Sequence, residues 1–122
     1  MGYCVQMTLE NVEIPKTKEK QALEILNKLN ESWLRTNDWC RFNPSENLLD
    51  VLEDLGFETE ESDSFYKITE FYREKLGDHC NMFKKLAAVL ENCQIKFYGE
   101  DDVDWKIVIK DHESETIYRE DF

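Results

Sequence analysis

QIKFYGEDDVDWKIVIKDHESETI, residues 94–117, reads as a strand, a tight acidic turn, a second strand and a return. Val103, Trp105, Ile107 and Ile109 alternate with Asp104, Lys106, Val108 and Lys110. A period of two places one face of a strand in a core and the other in water. The turn Gly99-Glu100-Asp101-Asp102, with Asp104 just beyond it, gathers four acidic side chains at one end of the hairpin. Their mutual repulsion costs stability, which points to a benefit outside the fold.

The chain around this hairpin has 122 residues, enough for one domain spanning 1–122 with a core that needs no metal or disulfide. With 41% hydrophobic residues, 4 Gly and 2 Pro, it has the composition of a folded globule rather than of an acidic disordered tail.

Upstream, Tyr3, Val5, Met7 and Leu9 alternate with polar neighbours, and the alternation slips to Val12 and Ile14, which predicts a bulge or strand end near Glu10 and Asn11. Pro15 closes that strand, and Lys16 or Thr17 opens a helix that ends near residues 34–36. Its apolar face holds Ala22, Leu26, Leu29 and Trp33, flanked by Leu23 and Ile25. Residues 37–43, with Trp39, Cys40 and Phe42, have no clear period and read as an ordered loop.

A short helix follows, with Ser45 as its expected N-cap, a stripe of Leu48, Val51, Leu52 and Leu55, and Gly56 as the left-handed residue after its end. Residues after it read as an acidic loop. Residues 65–73 are rich in aromatic and β-branched types and read as a strand, although Tyr66 and Ile68 are out of phase with Phe71. A third helix, capped by Asp78 and stopped near Asn92, leads into the hairpin and a short last strand over 116–119.

The order is β-α-α-β-α-β-β. It predicts an α+β domain with a mixed or mostly antiparallel sheet of four to five strands and helices packed on one face.

The net charge is −12, and it is unevenly placed. Residues 1–41 are neutral, residues 42–63 carry eight acids and no Lys or Arg, and residues 100–122 carry nine acids against three bases. Such a field repels nucleic acid and anionic membrane and attracts basic protein surfaces, so direct binding to either is not expected. Charge of one sign also serves solubility, although solubility does not require it to cluster.

Cys4, Cys40, Cys80 and Cys93 lack a C-x-x-C spacing, and no apolar leader or bilayer-length stretch is present, so a cytoplasmic protein with reduced thiols is expected.

Candidate chemistry is sparse. His79, Cys80, Cys93 and His112 have no zinc spacing, and Asp101, Asp102 and Asp104 lack the pattern of a calcium hand, so no metal is expected. Asp104-Trp105-Lys106 matches a nuclease-type D-x-K only loosely, and its acidic block would repel a nucleic-acid substrate. The chain holds no G-x-S-x-G and no phosphate-binding glycine loop, so neither a cofactor nor catalysis is expected. The aromatic residues, Tyr72 and Trp105 among them, read mostly as core. Trp39 and Phe42 lie in a loop beside the first acidic block, where an exposed ring would anchor a partner; a loop folded over the core is the reading set against it and the one preferred.

Three segments, Met1-Gly2-Tyr3 entering a strand, Phe71-Tyr72-x-Glu74-Lys75-Leu76-Gly77 before a helix, and Gly99-Glu100-Asp101 ahead of Trp105, resemble a scattered group of small acidic proteins from bacteriophages, plasmids and bacterial genomes. Those proteins often run Gly-Glu-Asp-Gly before the Trp, where this chain has Asp102, Val103 and Asp104. The resemblance covers the first strand and most of 65–119 and supplies no catalytic residue. It implies a setting in which acidic proteins inhibit host defence, as anti-CRISPR and anti-restriction proteins do, or neutralise basic toxins as immunity proteins.

Together these observations predict a non-enzymatic binding protein. Its partner is a basic host protein, a nucleic-acid-handling enzyme or a toxin. The expected contact residues are Glu46, Asp50, Glu53, Glu58, Glu60, Glu61 and Asp63, the hairpin acids Glu100, Asp101, Asp102 and Asp104, and Trp39. A different class of answer is a small-molecule-binding or enzymatic domain with a pocket between sheet and helices, lined by Trp39, Tyr66 or Trp105. A third is a structural subunit of a larger complex.

Overall fold

The computed structural model describes residues 3–73, 75–99 and 104–118. The chain runs β1 (Tyr3–Glu10), β2 (Glu13–Pro15), a single 3-10 turn (Lys16–Lys18), α1 (Glu19–Thr36), α2 (Leu48–Asp54), β3 (Phe57–Glu61), β4 (Phe65–Phe71), β5 (Lys75–Leu76), α3 (His79–Leu86), β6 (Cys93–Gly99), β7 (Asp104–Lys110) and β8 (Glu113–Tyr118).

The fold is α+β, as the element order predicts, and among the described residues every strand pair is antiparallel, where a mixed or mostly antiparallel single sheet was expected. The strands divide into two sheets, ordered β5-β1-β6-β7-β8 and β2-β4-β3. A bent strand joins them. β1 runs on into β2 through Asn11, whose φ of 57° turns the backbone into the left-handed region. β5 and β4 lie alongside it, with Tyr3 opposite Leu76 at one end and Pro15 opposite Phe65 at the other. The expected break near Glu10 and Asn11 is therefore the corner at which one sheet becomes two.

A second irregularity accounts for the phase slip in β4. Glu58 pairs with Glu70 but Thr59 pairs with Ile68, so Thr69 is an extra residue in β4. Tyr66 and Ile68 point into the core on one side of that bulge, and Phe71 turns inward on the other to meet Phe57, 5.3 Å away between ring centroids.

The core lies between the sheets and the three helices. Ala22, Leu26 and Trp33 of α1, Val51 and Leu52 of α2, and Met82, Phe83 and Leu86 of α3 bury their side chains there. From the sheets come Val5, Ile14, Ile68, Ile95, Phe97, Ile107 and Ile109, the inward half of each alternating pattern. Asn30 is the polar exception on α1. Its amide accepts from Phe42 N and donates to Phe42 O at 3.0 and 2.9 Å, which holds the 37–43 loop against the helix.

Local expectations change in four places. Phe57–Glu61, read as an acidic loop, is an edge strand, because its pairing with β4 supplies hydrogen bonds that period counting does not reveal. The α2 N-cap is Asn47 rather than Ser45: Asn47 Oδ1 accepts from Leu49 N at 2.9 Å, and Ser45 Oγ accepts from Asn47 N at 3.1 Å. α3 ends at Leu86 instead of Asn92. Asn92 Oδ1 instead accepts from Asp111 N at 3.0 Å, tying this segment to the tight turn at Asp111 and His112, and the last strand accordingly starts at Glu113.

Candidate functional site

The sequence places the acids in two blocks, and among the described residues the fold puts Asp104 of the second and Glu61 of the first at opposite ends of the β1–β2 strand, while Glu113 of the second lies towards the Glu10 end of its sheet, between them. Asp104 opens β7 opposite Tyr98, at the end where Val5 of β1 faces Gly99. Glu61 closes β3 opposite Tyr66, which faces Ile14 at the other end. Glu100, Asp101 and Asp102 lie outside the described residues.

The first block divides further. Glu58 and Glu60 are exposed on β3, with Asp63 exposed in the turn that follows. Glu61 is partly spent inside the fold: it accepts from Lys16 Nζ at 2.7 Å, and that ammonium also sits 5.5 Å from the centre of the Tyr66 ring. The hydrogen bond to Glu61 holds Lys16 above the usual lysine range. Glu46 is exposed near the start of α1, whose Glu19 ties α2 in place by accepting from Leu48 N at 3.2 Å and from the Tyr66 hydroxyl at 3.1 Å.

Asp50 and Glu53 face a groove that sequence periodicity does not disclose. It has two lobes sharing a wall of Asn43, Asp54 and Arg73. The acidic lobe, about 380 Å³, is bordered by Asp50, Glu53, Asp54 and Tyr72. The apolar lobe, about 330 Å³, is bordered by Leu34, Trp39 and Phe42 with Arg41. Five large hydrophobic side chains are exposed among the described residues, and three of them, Leu34 at 53%, Trp39 at 43% and Tyr72 at 52%, border this groove. Tyr72 was expected in the core. It follows the inward Phe71 at the end of β4 and so points outward.

Each wall is held in place. The Tyr72 hydroxyl donates to the Glu53 carbonyl at 2.6 Å, pinning the ring over the end of α2. Arg73 donates to the carbonyls of Trp39 and Asp54, and Arg41 to those of Asn37 and Asp38, so both guanidiniums fasten the loop that carries Trp39. Asn43 N donates to Asp54 Oδ2 at 2.7 Å.

Two glycines allow these approaches. Gly56 has φ 104°, and a Cβ there would lie 2.7 Å from Arg73 Cδ. A Cβ on Gly77 would lie 2.8 Å from Trp39 Cβ and 2.9 Å from Cys40 N.

Beneath the groove lies a polar cluster that fixes the loop. Asp38 Oδ1 accepts from Cys40 N and Asp78 N, both at 2.9 Å, while Asp78 Oδ2 accepts from Trp33 Nε1 at 2.9 Å and Asn81 Nδ2 at 3.1 Å. Asp78 thus caps α3 by position while its carboxylate braces α1.

His79, beside it, is buried. Gly77 N donates to its Nδ1 at 3.0 Å, which leaves the proton on Nε2 to be donated to the Leu55 carbonyl at 3.3 Å. Burial between Phe57 and Phe71 pushes its pKa down to about 4.

The other candidate chemical groups are likewise built into the structure. Burial raises the thiols of Cys40, Cys80 and Cys93, the last to about 12, and all three are free cysteines. Cys80 Sγ accepts from Trp105 Nε1 at 3.4 Å, and the Trp105 ring stacks on Phe97 at 5.1 Å. His112 donates from Nδ1 to the Ala87 carbonyl. Among the described residues no three His, Cys, Asp or Glu side chains gather as a metal site would need. No helix among them is long and apolar enough to cross a membrane.

Compared with protein families, with curated proteins and with solved structures, the chain finds no match in any of the three.

Proposed function

We propose that the protein is a non-enzymatic acidic binding protein that occupies a basic, nucleic-acid-binding surface of another protein, as a phage or mobile-element inhibitor of the anti-CRISPR, anti-restriction or immunity type does. The observation that carries this reading is the exposed acidic edge strand β3, where Glu58 stands opposite Glu70, although Glu60, next on the same strand, stands opposite Lys67. Blunting a sheet edge against strand addition needs charge of either sign. A like-charge pair across a ladder works against the sheet itself, so its benefit lies in a partner. A net charge of −12 steers such a surface onto a basic one at salt-sensitive rates. Free thiols held up by burial accord with a reducing cytoplasm as the place of action.

The test is affinity capture from the natural host at low salt, followed by a salt series on the purified partner with the native chain and with Glu58→Lys/Glu60→Lys. The expected partner is basic, binds nucleic acid in competition with this protein, and is released as salt rises or when the charges are reversed. Retention that ignores both salt and charge reversal sinks the reading.

A further inference from the structure

We infer that the two-lobed groove around Arg73 docks an extended segment of the partner, seating a Lys or Arg side chain in the acidic lobe and a neighbouring apolar side chain in the Trp39 lobe. This rests on the reading of the protein as a binder of basic proteins, and it says which part of such a partner enters and in which orientation.

The acidic lobe meets a cation in two ways. Asp50 and Glu53 are exposed carboxylates on its border, and the Tyr72 ring, fixed by its hydroxyl on the Glu53 carbonyl, offers a π face beside them. The ring is therefore ordered before a ligand arrives, which lowers the entropy lost on binding.

The apolar lobe has Leu34 and Trp39 as exposed walls and the buried Phe42 as its floor. Arg41 and Arg73 stand at its rim with fixed positive charge. Arg73 and Asp54 are common to both lobes, so the difference lies in Arg41, which repels a base from this lobe and leaves it to an uncharged apolar side chain, and in Asp50 and Glu53, which draw the base to the other. Opposite electrostatics in two adjoining lobes set the direction of the bound segment. Both volumes, about 380 and 330 Å³, fall in the range that holds small ligands and peptide side chains. A nucleic acid is excluded by the same carboxylates.

The experiment is an amide NMR titration of the full chain with capped glycine-spaced peptides of equal length. One set carries Arg and Phe separated by one, two or three Gly; the controls replace Arg by Glu or Phe by Gly. At least one Arg/Phe peptide is expected to shift the amides of residues 38–43, 50–54 and 72–73 and to bind about tenfold tighter than either control. Trp39→Ala is expected to abolish the advantage of Phe while keeping that of Arg, and Glu53→Lys the reverse.

The inference is overturned if millimolar peptide leaves those amides unmoved or if the Glu peptide binds as well as the Arg peptide. It is equally overturned if the groove amides shift with protein concentration alone, which marks a second copy as the occupant. Failure here with intact salt-dependent capture removes the groove and leaves the acidic β3 surface. Failure of the Glu58→Lys/Glu60→Lys test with intact peptide binding does the opposite.

Discussion

Glu58 of β3 stands directly opposite Glu70 of β4, both exposed, next to the bulge at Thr69. Like charges in this position destabilise a ladder, and an opposite pair contributes about 0.2–1 kcal/mol. Glu70→Lys is therefore expected to raise the urea midpoint with an unchanged m-value. A midpoint that stays or falls would show that the two carboxylates do not repel across the strands.

The buried His79 makes folding sensitive to mild acid. Its folded pKa, about 4, lies below the value near 6.5 of an unfolded histidine, so the unfolded chain binds more protons between those limits. The stability it permits is fully present above about pH 6.5 and is lost as pH falls towards 4, in total about 3 kcal/mol. The charged groups that act on it are Asp38 and Asp78, which favour its protonation, and Arg73, which disfavours it. Urea unfolding at pH 7 and 5.5, a range above most carboxylate titration, is expected to show a loss that shrinks in His79→Gln. An equal slope in both chains would assign the loss to other groups.

Gly77 and Gly56 control the geometry of the groove. Gly77→Ala drives a methyl group against Trp39 Cβ and Cys40 N, and Gly56→Ala adds a left-handed φ of 104° to a clash with Arg73. Each is expected to cost about 1–3 kcal/mol. Gly77→Ala should also change the emission of the exposed Trp39. Thermal unfolding of either variant at the native midpoint would contradict the tight approach.

Asn30 is the fastener of the Trp39 loop. Asn30→Ala strips partners from both Phe42 N and Phe42 O in a buried place and is expected to cost about 2–4 kcal/mol. Hydrogen exchange should then quicken in residues 38–43 ahead of the rest of the chain. Uniform acceleration would mean that the loop is held chiefly by its packing.

Much of the fold is legible in the chain because each of its signals is local. The alternation in residues 104–110 yields β7 with Ile107 and Ile109 buried, the slip after Leu9 yields the corner at Asn11, and Gly56 ends α2 with positive φ. Tyr66, Ile68 and Phe71 even record the Thr69 bulge as a break in phase. β3 was not legible, because its glutamates have weak strand propensity and it is a strand only through pairing with β4. Of the groove, Asp50, Glu53 and Trp39 were singled out from acidity and loop position, whereas Asp54 was one acid among eight, Tyr72 read as core, and Leu34 and Arg73 carried no mark.

By itself, then, the sequence determined the α+β class, the helix faces and strand phases, and an excess of acids concentrated in two stretches, because these follow from periodicity, caps and charge within short stretches. Only the tertiary structure decided that Asp104 and Glu61 lie at opposite ends of a bent strand, that Glu61 is engaged by Lys16, and that Trp39, Tyr72, Glu53 and Asp50 share a groove around Arg73. Those relations join residues far apart in the chain. They are set by ladder register, by one bulge and by two glycines that let loops approach, none of which leaves a periodic trace.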